Sequence, residues 1–188
     1  VEQFANERKE VEKPDDVLAE QMLSQGKTIL PQVQGAVKSV FGDYKVFSVE
    51  EELLQPIRED LDFKGYIDMV LKTPDGKYHI LDWKTCSWGW NAQKKSSKLM
   101  TYQLTLYKKY FCEKHNIDPN MVETYFGLLK RTPKKNNVEI FRVTSGNKKT
   151  ENALKSLNNF IYNTDKNMFF KNRLSCKYCS FYKTEHCR

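Results

Sequence analysis

Two aspartates and a lysine lie close together in the segment GYIDMVLKTPDGKYHILDWKT, residues 65–85. Pro74-Asp75-Gly76 is typical of a three-residue hairpin loop, because proline starts a type I turn and glycine takes the left-handed position that follows. Counting back from that loop along both strands sets Asp68 opposite Asp82, with Cβ atoms roughly 4.5–5.5 Å apart. Lys84 lies on the same strand face as Asp82, because side chains alternate along a strand.

Two carboxylates that face each other across a sheet repel, so something must offset the repulsion. Divalent cations bind carboxylate oxygens, and Asp68 and Asp82 therefore predict a metal site, with Mg²⁺ as the simplest occupant. Lys84 would stand beside the metal, where its ammonium orients a water or offsets charge on a phosphate. The alternative is an ordinary salt bridge between Lys84 and one aspartate. The other hairpin face is predicted to be apolar and to carry Ile67, Met69, Leu71, Leu81 and Trp83.

A chain of 188 residues is a normal length for one domain. We expect a single domain over residues 1–188, with N-terminal helices in 1–44, a core in 45–165 and a tail in 166–188. No apolar run is long enough to span a bilayer, and no signal peptide is evident, so we expect a cytoplasmic protein that does not bind membranes. The first residue is Val1, which indicates a fragment or a processed chain. The formal net charge of +7 suits a polyanionic substrate.

Apolar spacing and turn residues predict an α/β fold with a mixed central β-sheet flanked by helices and a cysteine-bearing C-terminal tail. Pro14-Asp15-Asp16 indicates a helix start, and Gly26 is expected to interrupt that helix. The remaining elements are expected in this order: a charged arm over 1–13, a second helix over 29–41 ending at Gly42, a strand over 45–54, the hairpin, a loop over 87–97, a helix over 98–115, strands over 123–130 and 138–143, and a helix over 148–162.

The helix that follows the hairpin places Gln103 and Tyr107 on one face, because residues four apart are neighbours on a helix. A glutamine in an otherwise apolar stripe needs hydrogen-bond partners. Gln103 and Tyr107 are therefore predicted to face the acidic site and to contact the substrate or Lys84. The alternative is a core stripe in which Tyr107 is a large filler.

The ordered set Gly65-x-x-Asp68, Asp82-x-Lys84 and Gln103-x-x-x-Tyr107 resembles the RecB-type branch of the PD-(D/E)XK nuclease superfamily, which carries G-x-x-D, D-x-K and Q-x-x-x-Y motifs. GYIDMV and ILDWKT are also similar to segments of exonucleases that maintain the mitochondrial genome. The resemblance covers about residues 45–111. It implies a restriction-endonuclease-like nuclease core.

The resemblance also implies roles for individual residues. Asp68 and Asp82 would bind one or two Mg²⁺ or Mn²⁺ ions together with the backbone carbonyl of Trp83, and Lys84 would help to position the attacking water. The family often adds a glutamate from the preceding strand. Among the glutamates at 50, 51 and 52 we favour Glu51, because it shares a strand face with two apolar residues. Many RecB-type nucleases also have a histidine on an upstream helix; here Gln32 or Gln34 would occupy that place.

The C-terminal tail carries Cys176-x-x-Cys179 and then His186-Cys187. C-x-x-C spacing lets two thiolates bind one metal, so a Zn²⁺ site is one interpretation. The resemblance offers a [4Fe–4S] cluster as a second interpretation, since some RecB-type nucleases, including CRISPR-adaptation nucleases, hold one with three C-terminal cysteines and one N-terminal cysteine. No cysteine precedes Cys86, which departs from that pattern. Disulfide bonding is the third option in an oxidising compartment. Cys86 and Cys112 are expected to be structural thiols, although Cys86 lies close enough to the motif to line the site.

Aromatic residues interleaved with lysines follow the hairpin, a pattern that suits single-stranded DNA because bases stack and phosphates pair with cations. We predict that this loop contacts nucleic acid through Trp88, Trp90, Lys94, Lys95 and Lys98. A second basic cluster, expected on a hairpin tip, contains Lys130, Arg131, Lys134 and Lys135.

These observations favour a Mg²⁺- or Mn²⁺-dependent DNA nuclease, more specifically an exonuclease or end-processing enzyme. Its expected partner is DNA that is single-stranded or has free ends, together with recombination or replication proteins. A phage or mobile-element setting follows from the resemblance. Two alternatives remain open: a structure-specific or CRISPR-adaptation-type endonuclease, and a non-catalytic nucleic-acid-binding module.

Overall fold

The computed structural model describes Asn6, residues 15–168, residues 173–185 and Cys187. Its centre is a five-stranded sheet in the order β1-β2-β3-β4-β5. Strands β3 and β4 are parallel and the other neighbours are antiparallel, so the predicted mixed α/β sheet is confirmed. The strands are β1 Lys45–Arg58, β2 Leu61–Lys72, β3 Tyr78–Cys86, β4 Val122–Lys130 and β5 Val138–Val143.

Four α-helices accompany the sheet in the described part of the chain. They are α1 Asp16–Phe41, α2 Ala92–Ser96, α3 Lys98–His115 and α4 Asn147–Asp165, and short 3₁₀ helices span Pro119–Met121 and Arg173–Tyr178. Helix α3 has the predicted bounds. Over the residues that the structure describes, none of these helices has the length and apolar character needed to cross a membrane.

Helix α1 begins where the sequence predicts, with the Asp15 carboxylate accepting a hydrogen bond from the Leu18 N–H at 2.9 Å. The predicted break at Gly26 is wrong, because the helix continues through Gly26 and Pro31 to Phe41. A glycine inside a helix costs only about 1 kcal/mol, which the packing of an apolar helix face easily exceeds. The helix ends at Gly42, whose φ of +67° is a conformation that favours glycine.

The β2–β3 turn has the predicted chemistry. Gly76 has a φ of +85°, and its N–H donates to the Thr73 carbonyl at 2.9 Å. The Thr73 N–H donates to the Lys77 carbonyl at 3.0 Å and closes the hairpin. The turn therefore fixes the strand register, which runs from Lys72 opposite Tyr78 to Met69 opposite Leu81.

Both faces of the sheet are covered. Ile80 belongs to a buried cluster with residues of α3, while its neighbour Leu81 belongs to a second cluster with Val37 of α1. Because side chains of adjacent strand residues point to opposite faces, α3 and α1 lie on opposite sides of the sheet. The site residues of β3 are thus held in a sheet that is packed on both sides.

Two local features differ from the sequence prediction. Strand β1 continues past residue 54 to Arg58. The segment 87–97 is not entirely loop, because it contains the short helix α2, whose N-cap Asn91 accepts a hydrogen bond from the Lys94 N–H at 2.8 Å.

By its contacts the chain divides into two compact units between Glu151 and Asn152, a boundary that falls inside α4.

Candidate active site

The site lies where β2 and β3 separate. The hairpin register would continue with Asp68 opposite Asp82, but strand pairing ends one step earlier, at Met69 opposite Leu81. In place of a backbone carbonyl, the Asp68 carboxylate accepts the Trp83 N–H, with 2.6 Å between Oδ2 and N. The divergence therefore leaves two aspartates side by side at the end of a ladder, where their carboxylates are not closed off by further strand pairing.

Strand β2 loses its alternation at this point. Ile67 and Val70 both belong to the cluster beneath α3, although residues three apart in a regular strand point to opposite faces. The prediction that Ile67 shares a face with Met69 and Leu71 is therefore wrong. On the neighbouring strand, Glu50 has a φ of +47° at the corresponding register position, so the irregularity crosses both strands. Asp68 sits inside this irregular segment.

Asp82 is a buried carboxylate with an incomplete set of partners. Its residue is 1% exposed, and Lys84 Nζ lies 2.6 Å from Oδ2. This contact is an ion pair without good hydrogen-bond angles, since Oδ2 has no hydrogen-bond partner among the described residues. Burial raises the pKa of Asp82 above its ordinary value; the Lys84 ammonium opposes this shift, and the nearby charge of Asp68 adds to it. Burial therefore disfavours the charged form of this carboxylate, and the ammonium of Lys84 offsets this only in part.

These features fit a divalent cation. Hard ions such as Mg²⁺ and Mn²⁺ bind carboxylate and carbonyl oxygens. Asp68 and Asp82 offer such oxygens, and Asp82 Oδ2 is a buried one that is ion-paired with Lys84 but has no hydrogen-bond partner among the described residues. Lys84 is 29% exposed at its side chain and reaches the same carboxylate from the solvent side. Among the described residues no group of three or more histidine, cysteine or acidic side chains surrounds a common point. A metal here would therefore be held by few protein side chains.

Trp83, between Asp82 and Lys84, is held by a glycine that sequence analysis missed. Gly127 is its register partner on β4, and a Cβ at that position would lie 2.3 Å from Trp83 Cε3 and Cζ3. The indole ring therefore occupies the space that a side chain at Gly127 would fill. A glycine inside an otherwise buried strand often marks such a close approach, and this was the available sequence signal.

The G-x-x-D and Q-x-x-x-Y segments contact each other. A Cβ at Gly65 would lie 2.7 Å from Tyr107 Cε1, so the tyrosine ring occupies the space that the missing side chain leaves. The Tyr107 hydroxyl accepts a hydrogen bond from Gln103 Nε2 at 3.0 Å. Tyr107 is 8% exposed and belongs to the core cluster, while Gln103 is half-buried. Tyr107, whose hydroxyl is bound by Gln103, thus packs against β2 three residues before Asp68.

Glu51 is 8% exposed and is engaged on the α3 side of β1. Its Oε1 accepts a hydrogen bond from Lys114 Nζ at 2.9 Å and also contacts His115 Nε2, while the Ser48 hydroxyl donates to Oε2. Burial acts to raise the pKa of Glu51, but the hydrogen bonds from Ser48, His115 and Lys114 hold it below its ordinary value. In this arrangement the Glu51 carboxylate is bound by Lys114 and His115 of α3, and its register partner on β2 is Ile67, next to Asp68.

Gln32, one of the residues considered for the upstream position, is bound elsewhere. Its Nε2 donates to Asn137 Oδ1 at 2.9 Å, and its Oε1 accepts the Asn137 N–H at 3.1 Å. Asn137 also donates to the carbonyls of Lys130 and Pro133. Gln32 therefore fastens α1 to the β4–β5 connection.

The five residues predicted to contact nucleic acid fall into two groups. Trp90 is buried against Phe126 and Phe141, so its ring is not presented to a base, and Lys95 is paired with Glu139. Exposed positions are occupied by Trp88, Lys94 and Lys98.

The cysteines are free thiols in the structure. Burial raises the pKa of Cys112 to about 11, which excludes it as a nucleophile at neutral pH. Cys176 is half-buried, whereas Cys179 and Cys187 are exposed, and the described tail residues form no metal-binding group. His186 lies outside the described residues. The predicted C-terminal metal site or cluster stays a prediction.

Solved structures that match this chain include the two that follow. A candidate exonuclease from Eubacterium rectale has a TM-score of 0.55 at 12% identity, and the match covers 88% of this chain and 60% of the exonuclease chain. The chain therefore spans less than two thirds of that protein. SSO0001 has a TM-score of 0.47 at 16% identity, over 86% of this chain and 73% of its own. No curated protein matches the chain at a significant level.

A family model described as the PD-(D/E)XK nuclease superfamily matches residues 2–184, nearly the whole chain. The mixed sheet flanked by helices agrees with the nuclease fold that the sequence motifs implied. The RecB-type branch stays a prediction. The chain belongs to the PD-(D/E)XK nuclease superfamily.

Proposed function

We propose that the protein is a Mg²⁺- or Mn²⁺-dependent DNA nuclease with exonuclease or end-processing activity. The observation that carries the proposal is the position of Asp68, Asp82 and Lys84 at the separation of β2 and β3, in a chain of a nuclease superfamily. A buried carboxylate without a full set of partners is a common mark of a functional site.

Asp68 and Asp82 would hold the cation, with the backbone carbonyl of Trp83 as a further oxygen ligand. Such an ion, when bound, supplies Lewis-acid stabilisation of the charge that develops on the phosphate. The Asp68 carboxylate is already oriented by the Trp83 N–H, so the pair needs little rearrangement. Glu51 remains a further candidate ligand, but it would first have to leave Lys114 and His115.

Lys84 would act on the water and the phosphate. Its ammonium lies at the Asp82 carboxylate and is partly exposed, so it reaches an oxygen that approaches the aspartates from solvent. A positioned donor of this kind stabilises negative charge as it develops. Tyr107 and Gln103 would act as positioning residues, because Tyr107 contacts Gly65 of β2 beside the Asp68 segment and Gln103 donates a hydrogen bond to the Tyr107 hydroxyl.

The test is hydrolysis of end-labelled linear and closed circular single-stranded DNA in Mg²⁺, in Mn²⁺ and in chelator. We expect metal-dependent loss of the linear DNA alone, with labelled products that reveal the polarity. Loss of the circle as well would favour the endonuclease, and matched RNA strands test the requirement for DNA. Failure to cleave any of these substrates, with DNA still bound, would replace this proposal by the non-catalytic binding module.

Lys84→Ala should abolish hydrolysis and retain DNA binding. The matched control is Lys109→Ala, which removes another ion-paired lysine, here on the surface of α3. Hydrolysis by Lys84→Ala at the wild-type rate would contradict the assigned role, whereas a loss of activity in Lys109→Ala would reveal a general charge effect.

A further inference from the structure

The loop after β3 presents one large aromatic side chain to solvent. Trp88 is 70% exposed and lies four residues after Lys84. Four extended residues span at most about 13 Å, so this ring lies within a few nucleotides of the candidate active site. A single exposed apolar side chain is common on protein surfaces, so a second feature is needed before Trp88 can be assigned a binding role.

The second feature is the way in which the backbone holds Trp88 outward. Gly89 has a φ of +129°, which L side chains rarely adopt, and the next residue, Trp90, is buried in the core against Phe126. The chain thus turns sharply between an exposed and a buried tryptophan. A Cβ at Gly89 would lie 3.5 Å from Lys130 Cδ, so the turn also rests on β4.

Hydrogen bonds fix the other side of Trp88. The Arg131 N–H donates to the Cys86 carbonyl at 2.8 Å, and the Thr132 N–H donates to the Ser87 carbonyl at 3.0 Å. These bonds extend the contact between β3 and β4 beyond the strand ends. Trp88 therefore projects from a backbone that hydrogen bonds hold in place, which limits the conformational entropy lost when a ligand binds to its ring.

The basic side chains of the segments that carry Trp88 differ in whether an acidic side chain already pairs with them. Glu139 pairs with both Lys95 and Lys130. Arg131 is exposed, lies 3.5 Å from the Ser87 hydroxyl through Nη2, and has no acidic partner within salt-bridge distance in the described residues. The loop after β3 and the β4–β5 connection are thus joined by hydrogen bonds, and they carry an exposed indole and an exposed guanidinium on adjoining segments.

We propose that Trp88 and Arg131 form a subsite for single-stranded DNA, in which a base stacks on the indole ring and the guanidinium contacts a neighbouring phosphate. This inference rests on the proposed nuclease function and names its substrate class. Stacking on an exposed ring requires a free base face, which a single strand offers and a paired duplex does not. Arginine suits the second role because its planar fork matches phosphate oxygens.

The experiment measures equilibrium binding, by fluorescence anisotropy in chelator, of a labelled oligothymidylate and of a duplex of the same length. Trp88→Ala should weaken single-strand binding by about 5- to 150-fold, the range for loss of one stacked base, and should weaken duplex binding much less. Trp88→Phe should retain most of the affinity. Arg131→Ala should weaken binding of both substrates and reduce the slope of log affinity against log salt by about 1.

Phe160→Ala is the matched control, because it removes another exposed aromatic side chain, 68% exposed, on α4. Its single-strand affinity should equal that of the wild type. Wild-type affinity in Trp88→Ala, or an equal loss on single strand and duplex, would overturn the proposal. If Trp88→Ala is unfolded by circular dichroism, Trp88→Phe and Arg131→Ala decide the question through affinity and salt slope. Failure of the nuclease function is a separate result: the wild type binds the single strand but does not cleave it with Mg²⁺ or Mn²⁺.

Discussion

Replacement of Gly127 by alanine is expected to displace Trp83 and, with it, the two candidate catalytic side chains on either side. The added Cβ would lie 2.3 Å from Trp83 Cε3 and Cζ3. Carbon atoms in contact stay roughly 3.5–4.0 Å apart, so the ring must move by more than about 1 Å. The ring also packs against a buried cluster that contains Leu81 and Tyr125, which limits its freedom to move.

The expected loss of stability has two parts. Overpacking of a buried contact costs about 1–3 kcal/mol. Replacement of a glycine by alanine within a strand stabilises the folded state by about 0.5–1 kcal/mol. The net loss in the free energy of unfolding for Gly127→Ala is therefore about 1 kcal/mol. The loss of hydrolysis should be larger, on the order of 100-fold, because a displacement of about 1 Å at Trp83 shifts Asp82 and Lys84.

A double-mutant cycle with Trp83→Val tests this reasoning, since valine has no ring. In that background Gly127→Ala should be neutral or stabilising by about 0.5–1 kcal/mol. The glycine contribution is common to both backgrounds and cancels, so the coupling energy equals the overpacking cost of about 1–3 kcal/mol. Denaturant unfolding measures stability, and single-turnover hydrolysis measures activity. Gly35→Ala is the control, because its Cβ meets nothing within 4 Å. Equal destabilisation in both backgrounds would refute the proposed contact.

Three further predictions concern the site and its supports. Asp82→Asn should abolish hydrolysis in Mg²⁺. In chelator it should raise the free energy of unfolding at neutral pH, because burial raises the pKa of Asp82 in the folded state, and this gain should vanish as the pH falls below the ordinary value of 3.8. Glu51→Gln should lose stability at neutral pH, since partners hold the pKa of Glu51 low despite its burial, and the difference from wild type should shrink as the pH falls below 4.5, measured by urea unfolding across pH. Gly65→Ala should cost about 1–3 kcal/mol in thermal unfolding through contact with Tyr107, and Tyr107→Val should remove that cost.

The hairpin register could be predicted because it depends on local chemistry. Pro74-Asp75-Gly76 sets the turn type, and the turn sets every later strand pair as far as Met69 and Leu81. The irregular segment around Asp68 could not be predicted in this way. The alternation rule assumes an unbroken ladder, whereas β2 keeps pairing with β1 after β3 has separated from it.

The two tryptophans after β3 show a second limit. Trp88 and Trp90 have the same residue type and similar sequence surroundings, so the sequence predicted one role for both. Their difference depends on Phe126 and Phe141, which come from other strands and receive the ring of Trp90. A partner that is distant in sequence leaves no local signal, and only the glycine between the two residues hinted at a change of direction.

Several features that a stable sheet normally avoids occur together near Asp68 and Asp82. Strand pairing stops early, β2 loses its alternation, and a buried oxygen of Asp82 that is ion-paired with Lys84 has no hydrogen-bond partner among the residues that the structure describes. Each feature alone has ordinary explanations, but each also leaves negative charge or open space at the same place. Features that reduce stability concentrate at functional sites, because selection for function retains them although they lower the free energy of unfolding. The convergence of these departures on two aspartates and Lys84, more than the motif alone, supports a cation-dependent reaction at this position.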